Sequence, residues 1–109
     1  MDNKTTIIID KLMKEIDIVF NLIDDINEDQ FLADEKTQRA VAMTLINMGE
    51  LVKLLNIDFR NTYPKIPWRS VAGLRDVVAH RYQSLIMEDI WVTVHEDLAV
   101  FKKMLNKIK

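Results

Sequence analysis

The chain has 109 residues, of which 49% are hydrophobic and 29% are charged, and its formal net charge at pH 7 is −2. This length predicts a single domain over residues 1–109, with one hydrophobic core and no room for a second. With only two Gly and two Pro, the chain has few residues that break helices, which indicates long helices. It has no Cys, which excludes disulfides, thiolate nucleophiles and zinc bound through sulfur.

Helical periodicity accounts for most of the N-terminal half of the chain. Apolar residues recur at three- and four-residue steps from about Thr6 to Asp24 and predict the first helix. The acidic stretch that follows, as far as Asp34, interrupts this pattern and predicts a loop with a short turn around Phe31–Leu32. Asp34 itself suits the N-cap of a second helix, which is predicted to run to about Asn56.

Gly49 lies in the middle of this second helix, where glycine costs about 1 kcal/mol relative to alanine. Either another helix approaches closely at this position, or the glycine is merely tolerated. The face of the second helix that is predicted to point inward comprises Val41, Leu45, Met48, Val52 and Leu55.

The stretch Asp58–Pro67 contains both prolines and predicts the main break in the helical pattern. Pro67 suits the first turn of a third helix, because the N–H that it lacks has no partner there in any case. A weaker break near Gln83–Ser84 precedes the last helix, which is predicted from about Met87 to Asn106. Four main helices on short connections predict an all-α, antiparallel bundle of four to five helices.

The last helix has apolar residues at near-heptad spacing, and the hydrophobic fraction is high for a chain of this size. Both features favour a two-fold homodimer in which one apolar face is shared between two copies. The alternative is that every apolar face packs inside one chain.

No apolar run approaches the roughly 20 residues of a membrane span, and the N-terminus lacks the basic-then-apolar order of a signal peptide. We therefore expect a cytoplasmic protein without a membrane partner. Residues 58–109 carry nine basic and six acidic side chains, whereas residues 1–57 carry six basic and eleven acidic ones. A basic half permits RNA binding, but so small a surplus is also typical of a solvated surface.

One segment, Arg75-Asp76-Val77-Val78-Ala79-His80-Arg81-Tyr82, concentrates chemically useful side chains within about two helical turns. It holds two arginines, a carboxylate, a histidine and a tyrosine, separated by apolar residues. An imidazole moves protons near neutral pH and a guanidinium neutralises phosphoryl charge, so this set suits phosphate-ester chemistry. The alternative is a core helix with a few polar residues at its edge.

If this segment is one continuous helix, Asp76 and His80 lie on the same face, and the carboxylate is predicted to hydrogen-bond the imidazole. Arg75 and His80 are five residues apart and point about 140° away from each other. They converge on one phosphate only if the helix bends or ends near His80, or if a two-fold axis brings the segments of two subunits together. The second arrangement makes activity depend on dimerisation.

The motif Arg75-Asp76-x3-His80-x-Tyr82 resembles the Arg-x4-His-x-Tyr motif of the HepT toxins, a branch of the HEPN (higher eukaryotes and prokaryotes nucleotide-binding) superfamily. The similarity continues in the same order upstream, in Arg39-Ala40-Val41, Met48-Gly49-Glu50, Tyr63-Pro64-x-Ile66-Pro67-Trp68 and Gly73-Leu74. It covers roughly residues 35–105. Arg-x4-His alone is a weak signal, but joined to Ile-Pro-Trp and His-x-Tyr at these distances it is a strong one.

The resemblance implies a HEPN-type helical homodimer that acts as a metal-independent endoribonuclease on RNA, with its site at the dimer interface. Arg75 and His80 match the catalytic pair of the family. Asp76 occupies the supporting polar position after the arginine, where relatives often carry Asn. Tyr82 matches the motif tyrosine. The implied partner is a minimal nucleotidyltransferase, the antitoxin of a type VII-like toxin–antitoxin system, which transfers AMP from ATP onto that tyrosine.

Two functions remain open: a toxin ribonuclease restrained by a nucleotidyltransferase, and a catalytically silent helical dimer that serves that enzyme as a binding or scaffold subunit. Intact Arg75, His80 and Tyr82 favour the first, since a scaffold needs neither a base nor a guanidinium here.

The remaining polar candidates carry less weight. Arg69 and Arg81 are candidate contacts to the RNA backbone, although surface ion pairs explain both equally well. His95 is expected to be a solvated histidine on a helix face. With two His and no Cys, the sequence predicts no metal site and no cofactor.

Overall fold

The computed structural model describes all 109 residues, and its regular elements are helices without any strand. The helices are α1 (Asn3–Ile23), α2 (Glu28–Leu32), α3 (Glu35–Leu54), α4 (Ile57–Thr62), α5 (Trp68–His80), α6 (Met87–Val92) and α7 (Leu98–Ile108). A 3₁₀ turn at Tyr82–Ser84 follows α5, and a π-helical segment at Thr93–Asp97 joins α6 to α7. The prediction of an all-α bundle is confirmed. None of these helices is both long and apolar enough to cross a membrane.

The start of α3 follows the capping rule that the sequence predicts. The Asp34 side chain accepts a hydrogen bond from the backbone N–H of Thr37 at 3.1 Å, which satisfies one of the N–H groups that a helix start leaves free. The predicted end of this helix at Asn56 lies two residues too far. Leu55 is extended, with ψ at 138°, and Asn56 instead caps α4.

Two short helices, α2 and α4, occupy stretches where the sequence predicts a loop and a break. Asn27 and Gln30 form a capping box at the start of α2, with side chain-to-backbone bonds of 2.9 and 2.8 Å. The buried ring of Phe31 then anchors α2 against the core. Both helices are too short to show an apolar period, so only their caps distinguish them from turns.

The long helices run antiparallel around one core. Asp10 pairs with Lys109 and Asp17 with Lys102, each at 2.7 Å, so α1 and α7 run in opposite directions. Helix α3 packs against α1 on one side and α5 on the other. The fully buried residues of the core include Ile9, Leu12, Ile16, Val41, Val52 and Leu105.

Gly49 lies where α3 meets α5, and this contact selects the first of the two alternatives given above. A Cβ built at this position overlaps Cβ of Arg75, and it lies 2.8 Å from Cγ of Arg75 and 3.1 Å from the carbonyl oxygen of Val71. The missing side chain therefore allows α5 to lie directly against α3. This close approach is what places Arg75 beside α3.

The two glycines of the chain provide a matched test of this contact. Gly49→Ala should destabilise the fold by about 1–3 kcal/mol, because the added methyl group forces α5 away from α3. Gly73 is also helical, but a Cβ built there meets nothing within 4 Å, so Gly73→Ala should stabilise by about 1 kcal/mol through helix propensity. Urea unfolding of both variants measures the difference. Equal effects of the two substitutions would contradict the close approach.

Candidate functional site

Helix α5 ends within the Arg75–Tyr82 segment. Its last residue is His80, and the backbone of Arg81 leaves the helical region with φ −131° and ψ 29°. Tyr82 then begins the 3₁₀ turn. The segment is therefore not one continuous helix, but it breaks only after His80, so Arg75 and His80 stay on one regular helix and point in different directions.

The Arg75 side chain lies against α3, where Glu50 holds its guanidinium. Glu50 Oε1 accepts a hydrogen bond from Nε of Arg75 at 2.6 Å and lies 2.5 Å from Nη2. Nη1 donates to Asp76 Oδ1 at 3.3 Å. Since a guanidinium has five N–H groups, one on each Nη remains for a ligand. The side chain is 24% exposed, so solvent reaches it.

Asp76 pairs with Lys53 of α3, and the prediction that its carboxylate accepts a hydrogen bond from His80 is wrong. Lys53 Nζ donates to Asp76 Oδ1 at 2.6 Å, the same oxygen that Arg75 contacts. The hydrogen bond from Lys53, followed by its charge and by Arg75, holds the pKa of the Asp76 carboxyl below its ordinary value. This carboxylate is therefore already paired with two cations, Lys53 of α3 and its own neighbour Arg75.

His80 is exposed, and its imidazole makes no hydrogen bond to another side chain or to the backbone. It lies about 7.5 Å along α5 from Arg75 and about 140° around it, as helical geometry requires of residues five apart. One chain therefore does not bring His80 to the charge cluster of Arg75, Glu50, Asp76 and Lys53. Both groups are reachable from solvent, but from different directions.

Tyr82 turns back toward α3 and contacts Arg39. The Arg39 Cζ atom lies 5.2 Å from the centroid of the Tyr82 ring, within the range of a cation–π interaction. Arg39 Nη2 also donates to Glu35 at 2.8 Å, and this bond, followed by the charges of Glu35 and Tyr82, raises the pKa of the guanidinium. The hydroxyl oxygen of Tyr82 is buried and has no hydrogen-bond partner.

Of the other residues considered in the sequence, some are exposed at the surface and one is buried in the core. Arg69 and Arg81 are exposed and form no ion pair, so the surface ion pairs considered above are absent. His95 is exposed, as expected, and its Nδ1 lies 2.8 Å from the carbonyl oxygen of Trp91. Trp68 is buried, with its ring 6.1 Å from that of Phe101, and belongs to the core.

Sequence reasoning assigned no role to Glu50, Lys53 and Arg39, which are the partners of the site residues. Glu50 and Lys53 follow Gly49 by one and four residues and lie on the same side of it around α3, and Arg39 lies three turns before Glu50 on nearly the same face as Glu50. The sequence signal for these partners is Gly49: once close approach is assumed there, the polar residues beside its face are the candidates for contact with α5.

Comparison with known proteins identifies relatives along nearly the whole chain. The model of the family described as ribonuclease HepT-like matches residues 12–108. A protein of Methanocaldococcus jannaschii named as a candidate RNase is 39% identical over 98 residues, which cover 90% of this chain and 76% of the relative. A Thermococcus cleftensis protein named as a candidate ribonuclease HepT is 33% identical over 101 residues, covering 93% and 92%. No solved structure matches the chain significantly.

The ion pair between Lys53 and Asp76 predicts an acid-sensitive contact. Lys53→Met should raise the pKa of Asp76 toward its ordinary value of 3.8, as a titration of the carboxyl carbon by NMR would measure. Since the folded pKa is the lower one, the pair stabilises the fold above that ordinary value and loses its contribution as the pH falls through the folded pKa. Lys65→Met, which removes an exposed lysine without an ion pair, is the control. An unchanged Asp76 titration in Lys53→Met would contradict the pairing.

Proposed function

The chain belongs to the HepT-like ribonuclease family, and from this membership we propose that it is the toxin ribonuclease of a toxin–antitoxin pair, an endonuclease that cuts RNA without a metal. The observation that carries the proposal is the family match over residues 12–108, which includes every residue of the Arg75–Tyr82 segment. The geometry supports it, because the guanidinium is held in place with free donors and the imidazole is exposed and unbonded.

The proposed chemistry uses the RNA's own 2′-hydroxyl as nucleophile. That oxygen attacks the adjacent phosphorus, the bond from phosphorus to the 5′-oxygen breaks, and the product ends in a 2′,3′-cyclic phosphate. His80 acts as the general base or acid for these proton transfers, because imidazole changes charge near neutral pH. The two free donors of Arg75 stabilise the charge that develops on the phosphorane oxygens.

A second copy of the chain resolves the separation of Arg75 and His80. Within one chain they point about 140° apart, so a phosphate between them needs one group from each of two subunits. Exposed apolar side chains near the site support such a contact: Val77 of α5 is 46% exposed and Val100 of α7 is 53% exposed. A groove of about 490 Å³ between α5 and α7 adds further apolar surface. Sedimentation that finds only monomers at assay concentrations would contradict this composite site.

Substitution of the proposed pair tests the activity. Arg75→Ala and His80→Ala should each lower the rate of RNA cleavage by at least about 100-fold, without loss of helical circular dichroism and with no effect of EDTA on the wild-type rate. His95→Ala, at the only other histidine, is the matched control and should cleave normally. Equal cleavage by all four proteins would end the assignment, and a wild-type chain that binds the transferase but cuts nothing would favour the scaffold function.

The proposed inhibitor is a minimal nucleotidyltransferase that modifies Tyr82. The Tyr82 oxygen attacks the α-phosphorus of ATP and forms the new O–P bond. The bond between the α- and β-phosphates breaks, pyrophosphate leaves, and the phenol proton passes to a base of the transferase. The added group blocks substrate by its bulk and by its negative charge.

Mass spectrometry after co-expression with that transferase tests the modification. The chain has two tyrosines, so Tyr63→Phe should gain an adenylyl group and Tyr82→Phe should gain none. Modification at Tyr63, or at neither tyrosine, would contradict this assignment.

A further inference from the structure

Tyr82 occupies a defined site, here called the Tyr82 seat, formed by Arg39 above the ring and by residues of α2, α3 and the chain after α5. The seat borders a cavity of about 370 Å³ whose walls include Leu32, Gln38 and Met87. Its walls are firmly placed, because Gln38 Nε2 donates to the carbonyl oxygens of Phe31 and Leu32 at 3.0 and 3.1 Å. Arg39 is oriented in turn by its ion pair with Glu35.

The ring holds Tyr82 in this seat, and the hydroxyl does not. The Arg39 guanidinium lies 5.2 Å from the ring centroid, which is an attractive arrangement. The hydroxyl oxygen is enclosed without a partner, and an unpaired buried hydroxyl opposes burial. The seated state is therefore stabilised by the contact with Arg39 and weakened by the hydroxyl.

An enclosed oxygen has no room for a transferred group. The Tyr82 oxygen cannot reach a phosphorus atom while the ring is seated, and it cannot carry a nucleotide there afterwards. The modified side chain must therefore lie outside the seat. The 3₁₀ turn is suited to this movement, because only two backbone bonds close it, from Ser84 to Arg81 at 2.9 Å and from Leu85 to Tyr82 at 3.2 Å.

The seat is also adjacent to the proposed base. Tyr82 lies two residues after His80, and the bond from Arg81 N–H to the carbonyl oxygen of Val77, at 2.9 Å, closes the last turn of α5 around the histidine. Removing the ring from its seat releases the chain on one side of that turn. The Tyr82 seat therefore lies directly beyond the helical turn that ends at His80.

We propose that Arg39 is a positioning residue that holds Tyr82 in its seat and thereby fixes His80, and that nucleotide transfer proceeds only from the unseated ring and prevents its return. This inference rests on the proposed function, since it takes Tyr82 as the acceptor and His80 as the base. The transfer is the displacement described above, in which the O–P bond to Tyr82 forms as pyrophosphate leaves. Inhibition then includes displacement of His80 as well as obstruction of the substrate.

The first test needs neither RNA nor the transferase. In Tyr63→Phe protein labelled with 3-fluorotyrosine, the single ¹⁹F signal reports on Tyr82. Adding Arg39→Ala should move this signal toward that of free fluorotyrosine and increase its exposure to a soluble paramagnetic probe, whereas Arg39→Lys should do so less. Lys36→Ala removes a nearby exposed charge of α3 and should leave the signal unchanged. A signal that is the same with and without Arg39 would overturn the seat.

The second test measures both reactions. Arg39→Ala should be modified about two- to fivefold faster, the population change expected from loss of one exposed cation–π contact, and should show a lower kcat for RNA cleavage with KM less affected. Tyr82→Phe keeps the ring and should cleave normally, whereas Tyr82→Ala should cleave poorly. Slower modification of Arg39→Ala, or equal cleavage by Tyr82→Phe and Tyr82→Ala, would overturn the inference. A wild-type chain that is neither active nor modified would instead refute the proposed function, and the fluorine experiment would still test the seat.

Discussion

The contact between α3 and α5 at Gly49 is the constraint on which the site depends. Arg75 lies over the bare backbone of Gly49, and this approach alone brings its guanidinium to Glu50 and its neighbour Asp76 to Lys53. The ion pairs cannot produce the approach by themselves. Glu50 and Asp76 are about half exposed, and pairs of this kind contribute little to stability. Packing places the helices, and the charges then orient the arginine.

This division explains how an arginine can be both fixed and available. Glu50 occupies the edge of the guanidinium formed by Nε and Nη2, and Asp76 accepts from Nη1. Each Nη group is then left with one free N–H. In the absence of a ligand, the two positive charges of Arg75 and Lys53 balance the two negative charges of Glu50 and Asp76. A phosphate that approaches Arg75 must therefore compete with Asp76, whose Oδ1 accepts hydrogen bonds from both Lys53 and Arg75. The cluster thus keeps two hydrogen-bond donors free while carrying no net charge.

The long helices, the cap at Asp34 and the close approach at Gly49 could be predicted from the sequence, because each depends on local spacing or local chemistry. The ends of α3 and α5 and the helices α2 and α4 could not, since they follow from caps and from a few backbone angles that periodicity does not encode. Spacing along one helix predicts a bond between Asp76 and His80. It fails because Lys53, distant in sequence and adjacent in space, offers the carboxylate a full charge.

Residue 82, just after the end of α5, is a tyrosine although its surroundings suit a phenylalanine better. A phenylalanine would fill the same seat beneath Arg39 without enclosing an unpaired hydroxyl, and burial of such a group opposes folding. The tyrosine oxygen therefore contributes nothing favourable to the seated state. A residue that served only to pack the end of α5 would not need that oxygen. Under the proposed function, this mismatch is a physical reason for Tyr82 to leave its seat when it accepts the nucleotide.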